Sequence, residues 1–321
     1  MTTYKGINGF AVQSVGSDPS PSNEGQVWYN NASYAFKLAS VTTTGTWATS
    51  GNMNQARGAI GSSGTATAGL AFGSYYPFGN NVEKYDGSVW TNSTVYPLSI
   101  GFIAGCGTQT ATLTGGGSTY TTAANKFNGT SWTAATAVPY GAEAASLFGS
   151  DTAAIFFGGG DGPGGYPAQA VAYNGTSWTA SPSLNNSSRY GSLATGTNTA
   201  GLAAGGASPI NSNTEKWNGS TWTNSGAVPF VTYNVSGSGV GTQTAAMLWF
   251  GDPTNTTTQY FNGTSWSNQS ASLTYSVTSK AASAGTQSSC FSGSGDSTKS
   301  NATTNNWTGA GVPLTKTITT S

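Results

Sequence analysis

Residues that can exchange protons, bind metal ions or act as nucleophiles are scarce in this chain. It contains no histidine and ten acidic residues in 321, and its only arginines are Arg57 and Arg189. Serine hydrolases usually need a histidine base, copper oxidases need histidine ligands, and glycosidases need paired carboxylates. The sequence therefore predicts a non-enzymatic protein with no catalytic residue, no metal ion and no cofactor.

Two groups of acidic residues recur in similar local sequences. Asp161, Asp252 and Asp296 each follow a glycine, and equivalent loops could bring them to a calcium ion. The interpretation we favour is that each aspartate begins a turn and accepts hydrogen bonds from its own backbone. Glu83 and Glu215 each precede a lysine and an aromatic residue, and we expect them to form solvated pairs on outer strands.

Aromatic residues in variable loops are the better candidates for binding. Rings beside short polar side chains suit sugar recognition, because a ring covers the apolar face of a sugar and the polar groups bind its hydroxyls. The same loops could instead cover the mouth of the fold or dock to a neighbouring subunit. The candidate ligand- or partner-binding residues are Tyr75, Tyr76, Phe78, Tyr120, Asp161 and Tyr166.

Charge and composition exclude several partners. Only 6% of the residues are charged and the formal net charge is zero, so no field would gather nucleic acid or an anionic membrane. The sequence has no apolar run of transmembrane length, and its first residues lack the apolar core of a secretory signal. We expect no membrane insertion, and we expect Cys106 and Cys290 to be free thiols.

A tryptophan recurs on a nearly fixed period along the chain. A repeat of roughly 40 to 50 residues is the length of one four-stranded propeller blade, which must stack on its copies to bury its apolar faces. The repeated tryptophans are Trp47, Trp90, Trp132, Trp178, Trp222, Trp266 and Trp307.

Each repeat also carries a hairpin signal before its tryptophan. Asn-Gly or Asp-Gly between β-forming residues favours a two-residue turn. With Asn128 and Gly129 as the turn, Phe127 would pair with Thr130 and lie diagonally from Trp132 on one face. We expect that aromatic pair to pack between blades.

The fold class predicted is all-β, a seven-bladed β-propeller at residues 25–321 after a leader at residues 1–24 that docks the protein. Residues 57–62, 101–106 and 189–194 are expected as innermost strands. Residues 26–30, 34–39 and 44–50 would form the first blade, and residues 315–320 would close the ring by pairing the two chain ends. Six blades with an extra strand from Trp47 is the alternative.

The repeat resembles the kelch family over residues 51–312. The resemblance lies in a glycine pair after the second strand, such as Gly115-Gly116, an aromatic residue ending the third strand and a tryptophan in the fourth. The last unit departs from this pattern, since Trp307 follows Asn305-Asn306 without the turn glycine. Kelch-like proteins of tailed phages, especially marine ones, contain segments that are similar to residues 24–30 with 35–37 and to residues 107–111 of this chain.

The phage resemblance implies a virion structural or adhesion protein on a tail, fibre or capsid surface, present in many copies. Its partners would be other virion proteins, with host surface glycans or a receptor as further candidates, bound through blade loops. The alternative is a free lectin-like propeller that binds carbohydrate in its blade gaps.

Overall fold

The computed structural model describes most of the chain as β-strands in two compact units. The described residues are 12–19, 26–41, 44–162, 165, 167–187, 189–207, 211–229, 239–249, 257–275, 277–295, 297–298, 301–310 and 313–318. One unit comprises residues 1–45 and 308–321, and the other comprises residues 46–307.

The smaller unit contains one four-stranded sheet, which we call the terminal sheet. Its strands, in spatial order, are β1 (Gln13–Val15), β2 (Val27–Asn30), β3 (Ala35–Val41) and β28 (Pro313–Thr317). β1 is parallel to β2, whereas β3 is antiparallel to both β2 and β28. Asp18 fixes the segment after β1, because its carboxylate accepts hydrogen bonds from the side chains of Trp28 and Asn30 at 2.9 and 2.7 Å.

The described residues of the larger unit form six four-stranded sheets, named A to F in chain order. Sheet A is β5 (Gly61–Thr65), β6 (Ala68–Tyr75), β7 (Phe78–Tyr85) and β8 (Trp90–Asn92). Sheet B is β9 (Ala104–Thr108), β10 (Ala111–Gly115), β11 (Ala124–Phe127) and β12 (Trp132–Ala134). Sheet C is β13 (Ser146–Gly149), β14 (Ala154–Phe157), β15 (Ala170–Tyr173) and β16 (Trp178–Ser181).

The other three sheets follow the same plan. Sheet D is β17 (Leu193–Thr197), β18 (Ala200–Ala204), β19 (Thr214–Trp217) and β20 (Trp222–Ser225). Sheet E is β21 (Gly239–Gly241), β22 (Ala246–Trp249), β23 (Thr257–Phe261) and β24 (Trp266–Ser272). Sheet F is β25 (Ala282–Gly285), β26 (Ser289–Gly293), β27 (Thr304–Thr308) and β4 (Thr46–Ser50). A single short 3-10 helix, Ser118–Tyr120, interrupts the strands of the described residues.

Neighbouring sheets of the larger unit bury their apolar faces against each other. The first strands contact one another in the order β5, β9, β13, β17, β21 and β25, and β25 also contacts β5. One apolar cluster lies between sheets A and B around Phe72 and Phe127, and another joins sheets F and A around Phe291 and Tyr85. The fold is thus all-β and β-propeller-like, as expected from the repeat. The first strands begin later than expected, at Gly61 rather than residue 57 in sheet A.

The hairpin before each tryptophan is wider than the sequence suggested. Phe127 pairs directly with Trp132, not with Thr130, so the turn has four residues. Asn128 explains the difference, because its side-chain oxygen accepts hydrogen bonds from the backbone N–H groups of Thr130 and Ser131, both at 2.9 Å. The aromatic pair packs between sheets as expected, since the Trp132 ring lies 5.7 Å from that of Phe72 in sheet A.

The strand pairing at the chain ends differs from the expected first blade. β4, which carries Trp47, completes sheet F rather than the terminal sheet, where β28 takes the edge beside β3. Trp307 lies in β27, a third strand, and so is not a seventh fourth-strand tryptophan. No Asn-Gly turn follows Trp307, so the chain does not return as a hairpin, and the free edge of β27 is taken by β4.

Both arginines form buried ion pairs with the two glutamates that were expected to be solvated. Arg57 Nη2 lies 3.1 Å from Glu83 Oε1, and Arg189 Nη2 lies 2.6 Å from Glu215 Oε1. Each guanidinium also donates to two backbone carbonyls, which compensates much of the lost hydration. The expectation of surface pairs was wrong because these third-strand positions face the neighbouring loop rather than water.

Candidate functional site

Two kinds of loop lie on one side of the larger unit, which we call the loop face. In each sheet, one loop precedes the first strand and the other joins the second strand to the third. Gly58, ahead of β5, is bridged to Tyr76, in the turn between β6 and β7. The Gly58 N–H donates to the Tyr76 carbonyl at 2.8 Å, and the Tyr75 N–H donates to the Gly58 carbonyl at 3.0 Å. The tyrosines are therefore held by backbone contacts rather than left on a free loop.

Five rings form a continuous cluster on the loop face, the loop-face aromatic cluster. Its members are Tyr75, Tyr76, Phe78, Phe102 and Tyr190. Tyr75 is central, because its ring centre lies 4.9 Å from Tyr76, 5.9 Å from Phe78 and 5.2 Å from Phe102. The rings of Phe102 and Tyr190 are 6.3 Å apart, so the cluster runs from sheet A across sheet B to sheet D. Tyr75 and Phe78 remain 41% and 54% exposed, which leaves ring faces available to a ligand.

A carboxylate borders this cluster. The Tyr190 hydroxyl donates to Glu143 Oε1 at 2.8 Å. Partial burial and the nearby Tyr75 and Glu143 raise the pKa of Tyr76. Tyr76 is therefore a neutral hydrogen-bond donor at physiological pH, and Glu143 is the polar group beside the cluster.

The sequence found three of the five rings and missed Phe102, Tyr190 and Glu143. The missed residues share a signal, since each lies shortly before the first strand of its sheet. In a propeller repeat those connections share a face with the second-to-third-strand loops. Phe102 is held there with a φ of 52°, where its N–H donates to the Ala59 carbonyl at 2.9 Å.

The remaining candidates do not join the cluster in any contact among the described residues. Tyr120 is 45% exposed, and its ring lies against Gly162 of sheet C. Asp161 is exposed, and its backbone N–H donates to the Gly165 carbonyl at 3.2 Å within its own loop. Tyr166, Asp252 and Asp296 lie outside the described residues.

Two further features of the described part of the chain concern metal ions and thiols. No group of three or more His, Cys, Asp or Glu side chains could hold a metal ion there. Cys106 and Cys290 are free and buried, and burial raises the pKa of both thiols. Among the described residues, no helix is long and apolar enough to cross a membrane.

The first strands surround a narrow polar channel. A cavity of about 70 Å³ is lined by backbone and small side chains, including Ser62, Ser146 and Ser192, and by Lys280. Lys280 Nζ donates to the Ile103 carbonyl at 3.2 Å, and burial lowers its pKa to about 8. Serine and glycine at these positions explain why strands from six sheets can approach one another so closely.

A second cavity, of about 280 Å³, lies between sheets C and D on the side opposite the loop face. It is lined by Ala172 and Tyr173 from β15 and by Trp217 and Gly219 from sheet D. We call it the C–D groove.

Comparison with known proteins gives the fold alone. No protein-family model matches the sequence, and no curated protein matches it. A solved structure entitled "Structure of YjhT" is similar, with a TM-score of 0.64 at 10% sequence identity. The similarity covers 79% of this chain and 95% of the YjhT chain.

Proposed function

We propose that the larger unit is a six-bladed, kelch-like β-propeller in which sheets A to F are the blades. Support comes from the contact between β25 and β5, which are the first strands of sheets F and A. This contact brings the last sheet next to the first sheet. The Ile60 N–H also donates to the Lys280 carbonyl at 3.1 Å, and Asn306 Nδ2 donates to the Gly87 carbonyl at 2.8 Å. Strand β4 would then fasten the ring by completing blade F.

This propeller is proposed to act as a non-enzymatic binding protein through its loop face. The observation that carries the proposal is the loop-face aromatic cluster, in which exposed Tyr75 and Phe78 rings lie on the same face as the hydroxyl and carboxylate of Tyr190 and Glu143. Flat apolar rings next to polar groups suit the two kinds of surface that a sugar presents. A surface glycan is therefore the ligand proposed for this face.

The biological setting proposed is the surface of a tailed phage particle, on which the protein is a structural or adhesion component. This part rests on the resemblance of residues 24–30, 35–37 and 107–111 to kelch-like phage proteins. Many copies on one particle would compensate for weak single-site binding through effective concentration. The other virion proteins would be its permanent partners.

Immunogold labelling tests the setting. An antibody against this protein should decorate intact, purified particles at a fixed place on tail, fibre or capsid. Absence from purified particles together with secretion from cells would replace this setting with that of a free lectin.

A glycan array with two variants tests the binding face. Replacing both Tyr75 and Phe78 by serine should abolish the strongest glycan signals, because it removes the exposed rings. Val89→Ser is the matched control, since Val89 is 54% exposed but lies in the hairpin turn between β7 and β8, away from the cluster. Unchanged glycan signals in the double variant would contradict binding through the loop-face aromatic cluster.

A further inference from the structure

A lysine of the third strand reaches across to the next sheet in three of the six repeats. Each ammonium group donates to the carbonyl of the glycine in the next sheet's hairpin turn, at distances of 2.6 to 2.9 Å. The pairs are Lys84 with Gly129, Lys126 with Gly175, and Lys216 with Gly263.

Two of these lysines also lie over an aromatic ring of the next sheet. Lys84 Nζ is 5.5 Å from the centre of the Phe127 ring, and Lys126 Nζ is 5.1 Å from that of Tyr173. The repeat thus builds a small receptor for an ammonium group, with a ring face on one side and a carbonyl oxygen on the other.

Sheet C breaks this pattern, because Ala172 occupies the lysine position. The aromatic residue and the turn glycine are nevertheless present on sheet D as Trp217, which is 2% exposed, and Gly219. Among the described residues, no group donates a hydrogen bond to the Gly219 carbonyl. The space left by the missing side chain is the C–D groove, which Ala172, Trp217 and Gly219 line together.

A second kind of contact between neighbouring sheets is also missing between sheets C and D. Gln109, Gln243 and Gln287, in the turns between first and second strands, each donate to two carbonyls of the preceding sheet. The equivalent residue of sheet D is Asn198, whose shorter amide makes no such bond within the described structure. The boundary between C and D therefore lacks both long side chains.

We propose that the C–D groove binds a primary alkylammonium group. The ammonium donates to the Gly219 carbonyl beside the edge of the Trp217 ring, which is 2% exposed, and its alkyl stem passes beside Ala172 and Pro182. The ammonium can come from a free amine or from a lysine side chain of a partner. This inference does not depend on the function proposed for the loop face.

Solution NMR of the full chain tests the proposal, with n-butylammonium chloride and Nα-acetyl-lysine methylamide as probes. The Trp217 indole N–H, which donates to the Asn198 carbonyl at 2.8 Å, is the reporter. We expect a saturable shift of its resonance with at least one probe and none with n-butanol, which has a similar shape but no charge. Binding of the blocked lysine indicates a partner side chain, and binding of the amine alone indicates a free amine.

The matched variant is Ala172→Lys, which supplies the missing lysine from the chain itself. It should weaken ammonium binding about tenfold or more, as loss of access to a charge-assisted hydrogen bond predicts. Ala172→Met fills the groove without charge and should also block binding. Lys126→Ala should create a second ammonium site, reported by Tyr173. The proposal is overturned if no probe gives a saturable shift, if n-butanol gives the same shift, or if both groove-filling variants bind as the natural chain does.

Discussion

At the scale of single residues, the chain uses its few charges for structure. Arg57 and Arg189 occupy equivalent places three sheets apart, and each is buried with a glutamate. Glu215 also accepts hydrogen bonds from the backbone N–H groups of Asn185 and Asn186. These ion pairs therefore fix the loops that precede sheets A and D onto their third strands.

Arg189→Met should destabilise the protein by about 3–5 kcal/mol, because it leaves the buried Glu215 carboxylate without its cation. Urea denaturation gives the free energy of unfolding. The double variant Arg189→Met with Glu215→Met should be more stable than the single one, since no unpaired charge remains. A double variant that is less stable than Arg189→Met would contradict this account.

Lys280 gives the stability a defined pH dependence. Burial lowers its pKa to about 8 in the folded protein, against about 10.4 for an exposed lysine in the unfolded chain. Between these values the unfolded state binds more protons, so the Lys280 contribution to the free energy of unfolding rises with pH. Thermal denaturation from pH 7 to 10.5 should show this rise in the natural protein relative to Lys280→Met. Parallel profiles would show that the Lys280 ammonium is well solvated.

At the scale of the hairpin, a side chain decides the register. Asn128→Ala should cost about 1–2 kcal/mol, because two backbone N–H groups of the turn lose their acceptor. Asn128→Asp is the control and should have little effect, since Asp86 holds the same turn in sheet A through Ser88 and Val89. Chemical denaturation measures both. Equal losses in the two variants would indicate that the acceptor oxygen is not what holds the turn.

The sequence predicted the number of strands per repeat, the packing of the aromatic pair between sheets and the presence, though not the register, of the third-to-fourth-strand hairpins, because these depend on local periodicity. It misassigned Trp307, whose indole is adjacent to that of Trp47 in sheet F, with ring centres 5.2 Å apart. The spacing of 41 residues before Trp307 fits the repeat almost as well as the others, although that tryptophan is a third-strand residue. Contacts between distant segments of the chain determine which strand completes each sheet. No local sequence pattern indicates those contacts. The same limit applies to Glu143 and Tyr190, which only the stacked sheets bring together.

At the scale of the whole larger unit, Trp47 is the position where early and late parts of the sequence meet. Its ring packs against Trp249 and Trp307, and its indole N–H donates to Thr258 Oγ1 at 2.8 Å. Trp47→Ala should lower the free energy of unfolding by about 3–5 kcal/mol, as expected for a large core residue. Val95→Ala, at a position 52% exposed, is the control and should change it little. Calorimetry in which Trp47→Ala unfolds like the natural chain would contradict the role of β4 in sheet F.

The pairing of β4 with β27 also has a consequence for biosynthesis. A ribosome delivers Trp47 more than 200 residues before Thr258 and Trp307. During that interval β4 is a nascent strand without its hydrogen-bonding neighbour, and unpaired strands are prone to join other chains. Completion of sheet F must therefore await the synthesis of β27, and slow translation or crowding of nascent chains should favour exchange of β4 between molecules.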